Sequence, residues 1–159
     1  MPHPRRWPVA LRLALVCAAL WPAAPRAEAD LAEALVQVLN AHRLQRGLAP
    51  VQADAELTAL ASAHSRAMAQ QHRLSHDGFE QRLDRSGRSL CVENLAAGYR
   101  QAQALLQGWQ RSAAHRDNLV EPRVQRVGVG VADGYVALLM CSATRVAPEG
   151  PAGATTGPR

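Results

Sequence analysis

The residues of this chain best suited to chemistry are two histidines and a carboxylate, each set in a short polar island. The islands are His76-Asp77-Gly78, the stretch from Glu93 and Asn94 to Gly98, and the stretch from Trp109 to Asn118, which holds Ser112 and His115. Imidazole and carboxylate are the side chains that bind divalent metals and move protons near neutral pH. A glycine in or beside each island lets the backbone turn sharply or approach a neighbour closely. Islands so alike in make-up and so far apart in sequence point to one assembled site.

Each residue has a plainer reading to weigh against that one. Glu93 sits between Val92 and Leu95 in an apolar stretch, where a carboxylate is costly to bury unless paired. It therefore calls for a histidine or arginine partner, or it clamps the backbone as a structural group. Asn118 suits a helix end, and Ser112 is as good a helix cap as a nucleophile beside His115. Ser112 and His115 lie three residues apart, with no obvious third group to orient the base. His42 and His64 fall on apolar helix faces, where a buried ring bonded to the backbone is the default. His72 and His76 have helical ligand spacing, but Arg73 stands where a metalloprotease helix places its glutamate. Ser75 and Gly78 also end that helix too early for the pair to act together.

Bulk properties set the frame. The chain has 159 residues and a formal charge of +5. Arg5, Arg6 and Arg12 lead into the apolar run 13–21, and Ala27-Glu28-Ala29 follows, the pattern of a secretory signal peptide over 1–29. The run is shorter than the ~20 residues a membrane helix needs. Val16 before Cys17 disfavours lipid attachment. Cleavage after Ala29 leaves about 130 residues, one domain with a modest core. It also removes Arg5, Arg6, Arg12, Arg26 and Glu28, which takes the charge from +5 to +2 and weakens any nucleic-acid reading. Every basic residue is Arg, as a G+C-rich genome would produce. Cys91 and Cys141 remain, and in an oxidising exported compartment the pair reads as one disulfide, with two buried thiols as the alternative. Such a bridge closes a loop of about 50 residues and contributes roughly 2–4 kcal/mol.

The elements that must position these residues are legible from periodicity. Asp30 is placed to cap a first helix with Leu31, Leu35, Leu39 and His42 on one face, and Gly47 stops it. A second helix is predicted from Asp54, with Leu57, Leu60, Ala61, His64 and Met68 at helical spacing. Short third and fourth helices are predicted over 79–87, with Leu83 inward, and 102–112, burying Leu105, Leu106 and Trp109. The period then changes to two. Val127, Val129 and Val131 alternate, Asp133-Gly134 gives a hairpin turn, and residues 135–141 form a strand apolar enough to be covered on both faces. Residues 147–159 carry no apolar period and read as a disordered tail, leaving 30–146 as the domain.

Taken in order, the motifs resemble the CAP superfamily (cysteine-rich secretory proteins, antigen 5 and pathogenesis-related proteins, or SCP domains), in its short secreted bacterial branch. They run Leu39-Asn40-x-x-Arg43, Ala61-x-x-His64-Ser65, His76-x-Gly78, Glu93-Asn94-Leu95-Ala96-x-Gly98, Trp109-x-x-Ser112-x-x-His115-Arg116-x-Asn118 and Gly128-Val129-Gly130. The resemblance covers about residues 31–143. It implies an α+β fold, a three-layer α-β-α sandwich with a small, mostly antiparallel sheet between helices. It also implies a cleft in which His76 and His115 match the family's two histidines and Glu93 its first glutamate. Ser112 stands where longer members carry the second glutamate, which argues for binding before catalysis.

The resulting expectation is an exported protein, periplasmic or extracellular, whose cleft takes Zn²⁺ or another divalent cation on His76 and His115, with Glu93 as orienter or third ligand. Asn94, Trp109 and Asn118 shape the cleft. No organic cofactor, nucleic-acid partner or spanning segment is expected, and the chain is read as a monomer. A lipid or cell-envelope component is a candidate ligand. A metal-assisted hydrolase using Glu93 as base and an interaction protein with a purely structural cleft are the alternatives.

Overall fold

A computed structural model describes residues 24–143. The expected tail lies outside these residues, as does the leader before Ala24. The elements are α1 (Ala24–Leu44), β1 (Gln52–Ala53), α2 (Ala55–Gln71), α3 (Phe79–Arg85), β2 (Cys91–Ala97), α4 (Ala102–Gln110), α5 (Ala113–Leu119), β3 (Arg126–Ala132) and β4 (Tyr135–Cys141). The sheet order is β1-β3-β4-β2. The short β1 pairs with β3 in parallel, and the remaining pairs are antiparallel.

Strand β4 explains the layering. Its side chains alternate between faces, and nearly all are buried. Val136, Leu138 and Met140 join a core cluster with Leu35 and Leu39 of α1 and Leu105, Leu106 and Trp109 of α4. Ala137, Leu139 and Cys141 face the other way, against Leu57, Leu60, Ala61 and Met68 of α2. A strand covered on both faces needs no polar alternation, so its sequence reads as one apolar run. The expected three-layer sandwich is the one observed.

The α2 layer lies unusually close to β3. Gly128 and Gly130 face α2 directly, and a Cβ at either would fall inside the α2 backbone, at Leu57–Thr58 and Ala61–Ser62 respectively. Glycine is required there by space alone, because neither position has a positive φ. The hairpin turn shows the opposite requirement, with φ of 46° at Asp133 and 80° at Gly134, as the Asp-Gly pair predicts. The disulfide joins Cys91 and Cys141, which sit directly opposite each other in β2 and β4.

Several sequence expectations need correction. The first helix begins at Ala24, so Asp30 lies inside it rather than capping it, and Glu28 accepts a hydrogen bond from the Asp133 amide at 2.9 Å. Asp54 does cap α2, through the Leu57 amide at 3.0 Å. The fourth helix ends at Gln110, short of Ser112, and His115 sits on a separate helix, α5. On α3, Leu83 is half-buried, and the side chain that points fully inward is Arg82. Strand β2 was not expected as a strand, because its polar Glu93-Asn94 pair interrupts the apolar pattern.

The close approach gives a stability test. Gly130→Ala should force α2 off the sheet and destabilise the domain by about 3 kcal/mol or more, by overpacking against backbone that cannot yield. Urea denaturation of the variant and the parent measures this. An unchanged midpoint would contradict the packing described.

Candidate functional site

Strand β2 lies at the edge of the sheet, and its residues face alternate layers. Glu93 points toward the α2–α3 side, and Asn94 toward α4 and α5. The site is built around this edge, with His76 arriving from one layer and His115 from the other.

The Glu93 side chain is only 2% exposed, and both its carboxylate oxygens accept hydrogen bonds. Arg82 donates from Nε to Oε2 at 2.7 Å and from Nη2 to Oε1 at 2.7 Å, a bidentate pair. His76 Nδ1 lies 2.9 Å from Oε1. A carboxylate can only accept, so Nδ1 carries a proton, and in the neutral ring Nε2 holds the lone pair. The His76 side chain is 57% exposed.

Arg82 is also the joint between elements. Its Nη1 donates to the Asp77 carbonyl at 2.9 Å and to Nδ1 of His64 at 3.2 Å. His64 in turn donates from Nε2 to the Ser75 carbonyl at 2.8 Å. The loop that carries His76 is thus held at Ser75 and at Asp77, while Gly78 supplies the left-handed turn (φ 74°) into α3. His64 is the bonded, buried histidine expected, and its role is to brace this loop. His72 occupies the left-handed cap that ends α2 and bonds to no member of the network, so it and His76 do not act as a pair.

The other wall comes from α4 and α5. Alternate carbonyls of an edge strand point away from the sheet and need partners. Asn118 Nδ2 donates to the Glu93 carbonyl at 3.2 Å, and the Trp109 indole donates to the Leu95 carbonyl at 2.9 Å. Asn94, completely buried, donates to the His115 carbonyl at 3.0 Å and accepts from Asn118 at 2.9 Å. The far end of α5 is held by Arg43, itself fully buried, which donates to the carbonyls of Leu119 at 3.0 Å and Glu121 at 3.1 Å. Ser112 occupies the N-cap position of α5, but its hydroxyl makes no cap bond and none to His115. Among the described residues the His115 ring has no hydrogen-bond partner. A cavity of about 260 Å³ lies at this edge, lined by His76, Phe79, Cys91, Val92, Glu93 and Asn118.

The sequence reading brought His76, Glu93, Asn94, Trp109, His115 and Asn118 to the same place, with Cys91 at its border. It missed Arg82. The signal for it was present: Glu93 demanded a cationic partner, and Arg82 lies three residues beyond Phe79 on a helix whose Phe79 face is buried. Arg43 was noted only as part of a motif.

For a divalent cation the available set is narrow. Among the described residues no three or more His, Cys, Asp or Glu side chains form a ligand cluster. What is present is two imidazoles. They lie near enough that charge on His76 disfavours charge on His115, whose pKa is lowered first by burial and then by this neighbour. The pKa of His64 is also lowered, by burial first and then by the Arg82 charge. His42, buried between α1 and α4, follows the same pattern with Arg46 and Arg43 as its neighbours. Neutral imidazoles are the form that binds metal.

A mostly antiparallel sheet between helical layers, with a histidine–glutamate cleft at its edge, defines an SCP-type domain. A family profile described as "Cysteine-rich secretory protein family" matches residues 36–139, and the chain belongs to that family, also called CAP. It is 29% identical over 115 residues to the YkwD protein of Bacillus subtilis, which covers 67% of this chain and 44% of that one. An extracellular SCP-domain protein from Bacillus anthracis superposes with a TM-score of 0.69 at 30% identity, over 72% of this chain and 41% of its own. An outer surface protein from Borrelia burgdorferi shares the fold, with a TM-score of 0.65 at 18% identity, over 71% of this chain and 92% of its own. The chain therefore spans less than half the length of the two Bacillus proteins.

The depressed histidines fix a pH dependence. His42, His64 and His115 each take up a proton at lower pH in the folded chain than their ordinary value of 6.5. Below that value the unfolded chain binds more protons, so the stability they contribute is full above pH 6.5 and falls as the pH drops. The depressed carboxylates of Asp54 and Glu121, the latter near 2, act in a separate and more acidic window. The urea midpoint should be level from pH 8 to 7 and decline from about 6.5 to 5. A midpoint constant across that range would contradict the neutral histidines.

Proposed function

We propose that this domain is an exported binding module whose cleft holds a divalent cation, Zn²⁺ or one of similar preference, on His76 Nε2 and His115. The observation that carries this reading is the 2.9 Å contact between His76 Nδ1 and Glu93. A carboxylate that accepts from one ring nitrogen fixes the tautomer and aims the other nitrogen outward, the arrangement that orients metal-bound histidines. Glu93 then acts as the orienter rather than as a third ligand, because both its oxygens already accept hydrogen bonds. Solvent would complete the coordination. When bound, the cation would supply Lewis acidity.

The same geometry weighs against hydrolysis by this chain's own groups. A general base needs a lone pair within reach of the proton it takes. Glu93 already accepts two hydrogen bonds from Arg82 and sits 2.9 Å from His76 Nδ1, and the Ser112 hydroxyl does not bond to His115. Binding is therefore the reading favoured over catalysis.

Support for export comes from the leader-like composition before Asp30, from the disulfide, and from relatives described as extracellular and outer-surface proteins. Among the described residues no helix is long and apolar enough to cross a membrane.

Zinc at about 100 times its dissociation constant should stabilise the domain by about 2.7 kcal/mol, read as a raised melting temperature. His76→Ala and His115→Ala should each abolish that shift, and Glu93→Gln should weaken zinc binding by about 10–100-fold in calorimetry. Equal zinc shifts in the parent and both histidine variants would overturn the reading.

A further inference from the structure

A second and larger cavity, of about 640 Å³, lies at the other end of β2 from the cleft, beside the β3–β4 turn. Tyr99 and Tyr135, the two tyrosines of the chain, both line it and are half-buried there. Gly108 of α4 sets the Tyr99 ring in place, since a Cβ at that position would fall on its hydroxyl. The other aromatic side chains among the described residues are used elsewhere. Trp109 is buried and bonded to the Leu95 carbonyl, and Phe79 lines the cleft. The cavity also carries charge of both signs. Arg100 and Asp133 are exposed at its rim, and neither side chain has an ion pair or hydrogen bond among the described residues. Glu28 is a further acid there, but it already accepts from the Asp133 amide at 2.9 Å. It precedes the expected cleavage point, whereas Arg100, Asp133 and both tyrosines follow it, so the chemistry of the cavity does not depend on the leader.

We propose that this cavity binds a neutral saccharide, with its C–H face on the tyrosine rings and its hydroxyls on Arg100 and Asp133. An anion would gain from Arg100 and be repelled by Asp133, and a cation would meet the reverse. A hydroxyl both donates and accepts, so it satisfies a guanidinium and a carboxylate alike. Tyrosine rings offer a large apolar surface with a polar tip, which matches a sugar ring that is apolar on its faces and hydroxylated at its edge. The volume falls within the range of roughly 300–1,000 Å³ usual for small-molecule sites, in which a few convergent polar groups orient the ligand on apolar walls. The site stands apart from the cleft by the length of β2 and requires no cation.

Titration of the exported chain with chitobiose, a neutral β-linked disaccharide, tests this by NMR. Saturable shifts are expected at the amides of Gly98, Asp133 and Gly134, with the His76 and His115 resonances unmoved. Arg100→Ala should weaken chitobiose binding about tenfold, as loss of a hydrogen bond to a charged group implies. Asp133→Asn should weaken it less but in the same direction, and it keeps the turn because Asn tolerates the left-handed conformation found at 133. Both side chains are exposed, so neither change threatens the core. Absence of saturable shifts at these amides, or unchanged affinity in both variants, would overturn the proposal. Octanoate, an apolar anion, is the control. Shifts of the same amides on adding octanoate would assign the cavity to an anion and overturn the saccharide as its ligand.

Discussion

A carboxylate buried at the edge of a sheet is the constraint around which this domain is arranged. Stripping the Glu93 side chain of water costs several kcal/mol unless its charge is matched and its lone pairs are used. Arg82 does both, and in doing so commits its own remaining donors to the loop before α3 and to His64 of α2. A buried ion pair adds little net stability against an apolar pair of similar volume, but breaking one partner away is expensive. The benefit here is positional: β2, α2 and α3 are locked into one mutual arrangement, and His76 inherits a fixed orientation from it.

The other side of β2 solves a different problem by similar means. An edge strand exposes carbonyls that would otherwise pair with another chain. Trp109 and Asn118 cover two of them, and Asn94 draws the His115 backbone to the strand. Arg43 holds the opposite end of α5 from the interior. The disulfide ties the first residue of β2 to the last of β4, so the strand that carries the site cannot slip in register. Covering the sheet edge and holding α5 at the His115 backbone are thus accomplished by the same residues.

Sequence periodicity revealed the core well. The apolar run of β4, the Asp-Gly turn and the helical stripes of α2 and α4 all appear where their patterns place them, because each buries an apolar face of regular period. Motif order pointed to His76, Glu93 and His115; the His76 ring bonds to Glu93, and the His115 carbonyl ties α5 to Asn94 of the same strand. What escaped was polar and structural. Glu93-Asn94 hid β2, since a buried polar pair breaks the alternation that marks a strand. Leu83 drew attention as the inward residue of α3, although the buried charge of Glu93 required Arg82 there instead. The early start of α1 was hidden because Asp30 makes a good cap in isolation, and tertiary contacts of Glu28 with the β3–β4 turn lie beyond local pattern.

The central claim is that Glu93 fixes His76 with its proton on Nδ1 and its lone pair on Nε2. Nitrogen-15 NMR of the imidazole side chains in the metal-free protein near pH 7.5 tests this directly. The account predicts a His76 ring held in the Nδ1–H tautomer, and a shift toward the Nε2–H form or an averaged signal in Glu93→Gln. A His76 ring already in the Nε2–H tautomer in the parent protein would contradict it.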